Sequence, residues 1–132
     1  MTTRLAPATI RRGFARRRAY AALAVLLLTA IAAEVLAHDA GYWQLAVWLS
    51  VPDLPLLLGI DGSLAQGQLH PRATRAYNLT HRFWPPLLLL AVAGAGVLSV
   101  GFLVGALAWT FHLALDRALG YGLRTADGFQ RQ

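Results

Sequence analysis

From Phe83 to Leu115 the chain runs without one aspartate, glutamate, lysine or arginine. A helix needs about 20 apolar residues to cross bilayer hydrocarbon, so this segment is too long for one ordinary crossing and short for two. The conflict resolves if the helix entering it starts earlier, near Ala73, and carries Arg75, Tyr77, Asn78, His81 and Arg82 on polar first turns. Those turns then lie at the cytoplasmic interface or face other helices. Pro71 suits the first position of such a helix, because its missing N–H would be unbonded there anyway. A tight turn near Ser99–Gly101 begins the next helix.

Composition supports lipid as the solvent. Hydrophobic residues make up 57% of the 132 and charged residues 14%, against about 25% charged in soluble domains. Tyr20 to Ala37 is long enough for a first crossing. A rival reading is a cleaved leader, with Arg11-Arg12-Gly13-Phe14 as a loose twin-arginine signal and Ala30-Ile31-Ala32 as a cleavage site. Against it, apolar helical character continues through Val35-Leu36-Ala37, and the next span follows almost at once. After the turn His38–Tyr42, Trp43 to Ile60 forms a second crossing, with Tyr42, Trp43 and Trp48 suited to the membrane interface. Pro52 and Pro55 remove backbone donors and free carbonyls one turn back, so this helix is expected to kink or break at Asp53. Asp61 to Arg72 reads as a polar loop.

Charge placement sets the orientation. All twelve basic residues are arginines, which suggests a GC-rich bacterial genome. With four spans, the arginines fall on residues 1–18, on the loop with Arg72, Arg75 and Arg82, and on the tail with Arg117, Arg124 and Arg131. The opposite turns hold none. Three spans would put the C-terminal arginines outside, against the positive-inside bias. The expected fold is therefore an all-α integral membrane four-helix bundle, multi-pass in a bacterial inner membrane, with both termini cytoplasmic. Residues 1–18 form a flexible basic tail, 19–124 the transmembrane domain and 125–132 a polar tail. The net charge of +6 points to anionic lipid and not to nucleic acid, since no nucleic-acid module accompanies the arginines. A homo-oligomer is compatible with so small a bundle. Without cysteine, disulfides and thiolate metal sites are excluded.

Ionisable groups inside a membrane are expensive and tend to face inward with partners. His112 and Asp116 share one helical face, on a stripe with Gly105, Trp109 and Gly120. Counted by helix rise from the outer ends, Asp53 and His112 both lie about 15 Å deep, and His81 and Asp116 roughly 22–25 Å deep. Asn78 follows on the face of His81. Three segments thus place Asp53, Asn78, His81, His112 and Asp116 in one slab. Glu34 and His38 share a face nearer the outer end and stand apart. Each polar residue also has a plain role: Asp116 paired with Arg117, Arg82 or Arg75, His112 or Asn78 as an interhelical hydrogen-bonding group. Two imidazoles and two carboxylates suit zinc or a similar divalent metal. On that reading Asp53, His81, His112 and Asp116 are metal ligands or acid–base groups, and Asn78, Arg82 and Arg117 hold an anionic substrate. No phosphate loop, nucleophile elbow or Ser/His/Asp arrangement is present.

Pro52-Asp53, Tyr77-Asn78-Leu-Thr-His81 and Trp109-x-x-His112-x-x-x-Asp116-Arg117-x-x-Gly120-Tyr121-Gly122-Leu123 together resemble the bacterial integral-membrane family known as domain of unknown function 4260. The resemblance runs from about Trp43 to Arg124. The chain departs from it at Ile60, where an aromatic is common, and at Thr74, where glycine is common. Since that family has no established activity, the resemblance implies a fold and a set of positions but no reaction. Pro52-Asp53, His81-Arg82 and His112/Asp116 are also similar, as short motifs, to inner-membrane metal-dependent hydrolases. The expectation for function is hydrolysis of a lipid-like or phosphorylated substrate at a metal site. Its alternatives are a non-enzymatic membrane subunit whose polar cluster only fastens helices, and an oligomeric transporter of a small solute.

Overall fold

On the first helix only Ala24, Leu27, Ile31 and Val35 are buried, at the three- and four-residue spacing of a single face. Val25, Leu26, Leu28 and Leu36 on its other faces are large, apolar and exposed. That helix, α1, spans Ala8–His38 in a computed structural model that describes residues 8–131. The expected flexible tail is thus helical from Ala8 onward, and residues 1–7, with Arg4, lie outside the described residues.

The remaining elements are α2 (Tyr42–Ser50), a 3-10 turn (Val51–Asp53), α3 (Leu54–Leu58), α4 (Pro71–Thr80), α5 (Trp84–Gly94) and α6 (Val100–Leu119). Among the described residues the fold is all-α, with one isolated antiparallel bridge, Arg124 to Gln130, and no strand. Two helices, α1 and α6, are long and apolar enough to cross a membrane.

Helix α6 is the centre. It packs against α1, α2 and α5, and Val104, Ala106, Ala108, Leu113 and Ala114 lose all contact with solvent. Small residues permit this. A β-carbon on Gly105 would run into the Trp48 indole, and one on Gly101 into the Gln44 amide. Trp48 accordingly stacks on Trp109, with ring centres 5.2 Å apart. Trp48, expected at the membrane interface, thus also packs between α2 and α6 in the gap at Gly105.

Prolines interrupt the second and third helical segments. The break at Asp53 falls where expected, between α2 and α3, and Pro71 does open α4. The helix begun at Pro71 does not run on into the apolar stretch, because Pro85 and Pro86 lack the N–H groups that would continue the ladder. It stops at Thr80 and restarts as α5 at Trp84.

The C-terminal segment is not a loose tail. After α6 ends at left-handed Gly120, Thr125 and Phe129 pair through their backbones and Arg131 N–H donates to the Leu123 carbonyl. This hairpin docks on the loop before α4 through Leu69 N–H to the Gly128 carbonyl and the Gln68 amide to the Asp127 carbonyl. Gly128 has φ +96°, and a β-carbon there would overlap the Leu69 carbonyl oxygen. In the same loop, the Ser63 backbone N–H and hydroxyl hold the Asp61 carboxyl below the ordinary carboxylate range.

Candidate functional site

Both proline breaks leave backbone carbonyls without a regular helical donor, and α6 supplies the replacements. The last carbonyls of α2 have no partner within the helix, and His112 Nδ1 lies 2.9 Å from that of Leu49. Pro85 has no N–H to offer the carbonyl four residues back, which is that of His81; the Arg117 guanidinium donates to it at 2.8 Å. The Trp109 indole N–H donates to the Thr80 carbonyl at 2.8 Å, and the Thr80 hydroxyl donates to the Pro52 carbonyl at 2.9 Å. Three side chains on successive turns of α6 therefore tie the two broken segments to one helix.

These ties orient the imidazoles. His81 also directs Nδ1 at a carbonyl, that of Tyr77, at 2.9 Å, and the Tyr77 ring stacks on it with centres 3.8 Å apart. A carbonyl only accepts, so in each neutral ring Nδ1 carries the proton and Nε2 the lone pair. Both Nε2 atoms are buried and make no hydrogen bond. The Asp53 carboxylate lies 3.4 Å from His81 Nε2 and 3.6 Å from His112 Nε2. The Asp116 carboxylate lies 3.3 Å and 3.6 Å from the same two atoms.

Local structure explains why Asp53 is available. It stands at the cap position of α3, where an aspartate commonly accepts from the helix's first N–H groups, yet its side chain makes no such bond. Pro55 occupies the second helical position and removes one of those donors. The Asp53 side chain is 49% exposed and that of Asp116 19%, whereas His112 is 13% exposed and His81 wholly buried. The cluster thus opens outward on the Asp53 side.

The donor set fits a metal ion. Charge-assisted N–H···O bonds close to about 2.7–2.9 Å, and none of these four contacts does. Around a tetrahedral zinc with bonds of about 2.0–2.1 Å, neighbouring donors stand about 3.3–3.4 Å apart, and the imidazole–carboxylate separations are 3.3–3.6 Å. Asp53, His81 and His112 offer three donor atoms all within 4.8 Å of one another; Asp116 adds a fourth donor, the second carboxylate, beside both rings. A backbone carbonyl behind each imidazole is the outer support that ligating histidines ordinarily have.

Other expected residues do different work. Asn78 does not face the cluster. Its amide oxygen accepts from Arg124 N–H at 2.7 Å and its amide nitrogen donates to the Arg124 carbonyl at 2.9 Å, so both ends are occupied by the C-terminal segment. Arg117 makes no ion pair with Asp116; besides His81 it donates to the Tyr121 carbonyl. Arg82 is exposed and lines a shallow depression with Arg75 and Leu79 that includes no cluster residue. Glu34 and His38 form their own pair at 3.3 Å. The supporting roles of Tyr77, Thr80 and Trp109 were not foreseen, although the proline positions signalled that nearby carbonyls would need donors.

No curated protein and no solved structure matches the chain. The family model described as Domain of unknown function (DUF4260) matches residues 18–132, which takes in every residue of the cluster. The chain belongs to the DUF4260 family.

Proposed function

We propose that the chain is a multi-pass protein of a bacterial inner membrane, with four spans and both termini cytoplasmic, whose Asp53–His81–His112–Asp116 cluster binds a divalent metal such as zinc. The four spans are α1, α2 with α3, α4 with α5, and α6. The large apolar side chains left uncovered on α1 support lipid as their solvent, since a helix apolar on all faces is otherwise buried in protein. One observation carries the metal reading: two imidazoles from different segments, each held at Nδ1 by a carbonyl, present buried and unpartnered Nε2 atoms to the same two carboxylates.

The chemistry we assign is hydrolysis of a lipid-like or phosphorylated substrate. A divalent ion in such a site lowers the pKa of bound water and polarises a phosphoryl oxygen. His81, His112 and Asp116 would hold the ion with one position left for water, and Asp53, half exposed on the open side, would take a proton from that water. The test is metal analysis of the detergent-purified protein. About one zinc-like ion per chain is expected, with loading lost in His81→Ala and His112→Ala. Absence of metal, or equal loading in the variants, would remove the proposal and leave the cluster as a helix fastener.

A further inference from the structure

Arginine, and no acid, surrounds the cytoplasmic end of the α1–α6 seam. Arg16, Arg17, Arg117 and Arg131 line a cavity of about 470 Å³ floored by Gly120 and Gly122, with Tyr121 beside it. Every side-chain ion pair among the described residues is between a histidine and a carboxylate, so none of these guanidinium groups is neutralised by an acid. Arg17 donates Nε and one terminal nitrogen to the carbonyls of Ala118 and Leu119, which fixes it across the end of α6. Arg131 is held by its Nε on the Arg124 carbonyl. Two anchored guanidinium groups thus retain nitrogens for which no acceptor is seen among the described residues, where the Arg16 side chain also makes no hydrogen bond.

The next turns of the same two helices form a groove of opposite character. Ala21, Val25 and Leu28 on α1 face Phe111 and Leu115 on α6 across an apolar space of about 450 Å³. Residues 13, 17, 20, 24 and 28 of α1 step along one face, the first three lining the basic cavity and the last two the apolar groove on the following turns. From Arg17 to Leu28 the helix rises about 16 Å, comparable to most of an acyl chain. Uncompensated positive charge at one end and uncovered apolar surface at the other select an occupant that is anionic at its head and hydrocarbon along its body.

We infer that this seam is a binding site for one anionic phospholipid, with its phosphate at Arg16, Arg17 and Arg131 and an acyl chain along the α1–α6 groove. The site is separate from the metal cluster, from which Arg117 and the Phe83 ring divide it. It rests on the membrane placement proposed above but not on the metal or its chemistry. Juxtamembrane arginines attract anionic headgroups through ordinary electrostatics; here they are fixed by backbone carbonyls and joined to a shaped apolar groove.

The experiment is native mass spectrometry of the full-length protein released from detergent after exposure to phosphatidylglycerol, phosphatidylcholine or inorganic phosphate. One phosphatidylglycerol should be retained per chain, and phosphatidylcholine should not. Arg16→Gln with Arg131→Gln should weaken retention by about thirtyfold, two surface arginines' worth of attraction. Val25→Trp, at an exposed position that cannot disturb the core, should fill the groove and also abolish retention, leaving metal content unchanged in both variants. Equal retention of the two lipids, retention unaffected by either variant, or displacement of lipid by inorganic phosphate would overturn the site. The last outcome would mean that the cavity takes free phosphate and the groove plays no part.

Discussion

Histidine has two ring nitrogens, and at both His81 and His112 it is Nδ1 that meets a backbone carbonyl. Everything chemical about the cluster follows from that choice, because it leaves two lone pairs facing two carboxylates. Asn78 shows the opposite outcome for a polar residue of the same slab. It holds the backbone of Arg124 by two hydrogen bonds, and the Arg124 guanidinium lies 5.0 Å from the centre of the Tyr77 ring, whose other face stacks on His81. Asn78→Ala should strand the Arg124 N–H, leave its carbonyl to Arg131 alone, and lower stability by about 1–3 kcal/mol. Hydrogen exchange should show lost protection over residues 121–131 with metal loading retained; lost loading with the hairpin still protected would put Asn78 in the site after all. Sequence depth counting could find Asp53, His81, His112 and Asp116 because His112 and Asp116 lie on α6, and Asp53 and His81 stand at or beside the ends of helices whose rise is fixed. It misassigned Asn78 because its partner is backbone 46 residues away, in a segment with no periodicity from which a position could be counted.

At the scale of elements, the two proline breaks are the devices that make the site. Pro52 lacks the N–H owed to the Trp48 carbonyl, and the 3-10 turn that replaces the helix at Val51–Asp53 leaves the Leu49 carbonyl to His112; Pro85 opens the His81 carbonyl to Arg117. Pro52→Ala should restore the N–H owed to the Trp48 carbonyl, let the helix continue through Asp53 so that the Asp53 N–H takes the Leu49 carbonyl, and loosen the His112 ring. Loss of such outer support costs about 10–100-fold in metal affinity, so a zinc titration should weaken by that amount with no loss of helix content by circular dichroism. Unchanged affinity would show that the break does not position the imidazole. The first break was legible, since Pro52-Asp53-Leu54-Pro55 admits no straight helix. The second was not anticipated: Pro85-Pro86 suited the opening of an apolar helix equally well, and only the packing of α6 shows that α4 had to stop.

The whole molecule is α6 surrounded by one long helix and two broken ones, with its apolar exterior largely uncovered. The seam near Ser99 and the length of α6 were readable from the impossibility of one crossing over Phe83–Leu115. The folded C-terminal hairpin was not, because its contacts with Gln68 and Leu69 are backbone contacts between two irregular segments. Four spans with both termini on one side make a clear topological prediction, and the absence of cysteine makes it simple to check. Single cysteines at Ala40, Ala65 and Ala126 should react with an impermeant maleimide from opposite sides, Ala40→Cys from outside and the other two only after the cytoplasmic face is opened. Labelling of both Ala40→Cys and Ala126→Cys from outside would require an even number of crossings between them and contradict the four proposed spans.

Convergence of His81, His112, Asp53 and Asp116 on one ion can be read by X-ray absorption at the zinc edge of the detergent-purified, zinc-loaded protein. A shell of two imidazole nitrogens and carboxylate or water oxygens at about 2.0–2.1 Å is expected, with the imidazole scattering reduced in His112→Ala. A shell of oxygen alone, or one unchanged by that substitution, would contradict it.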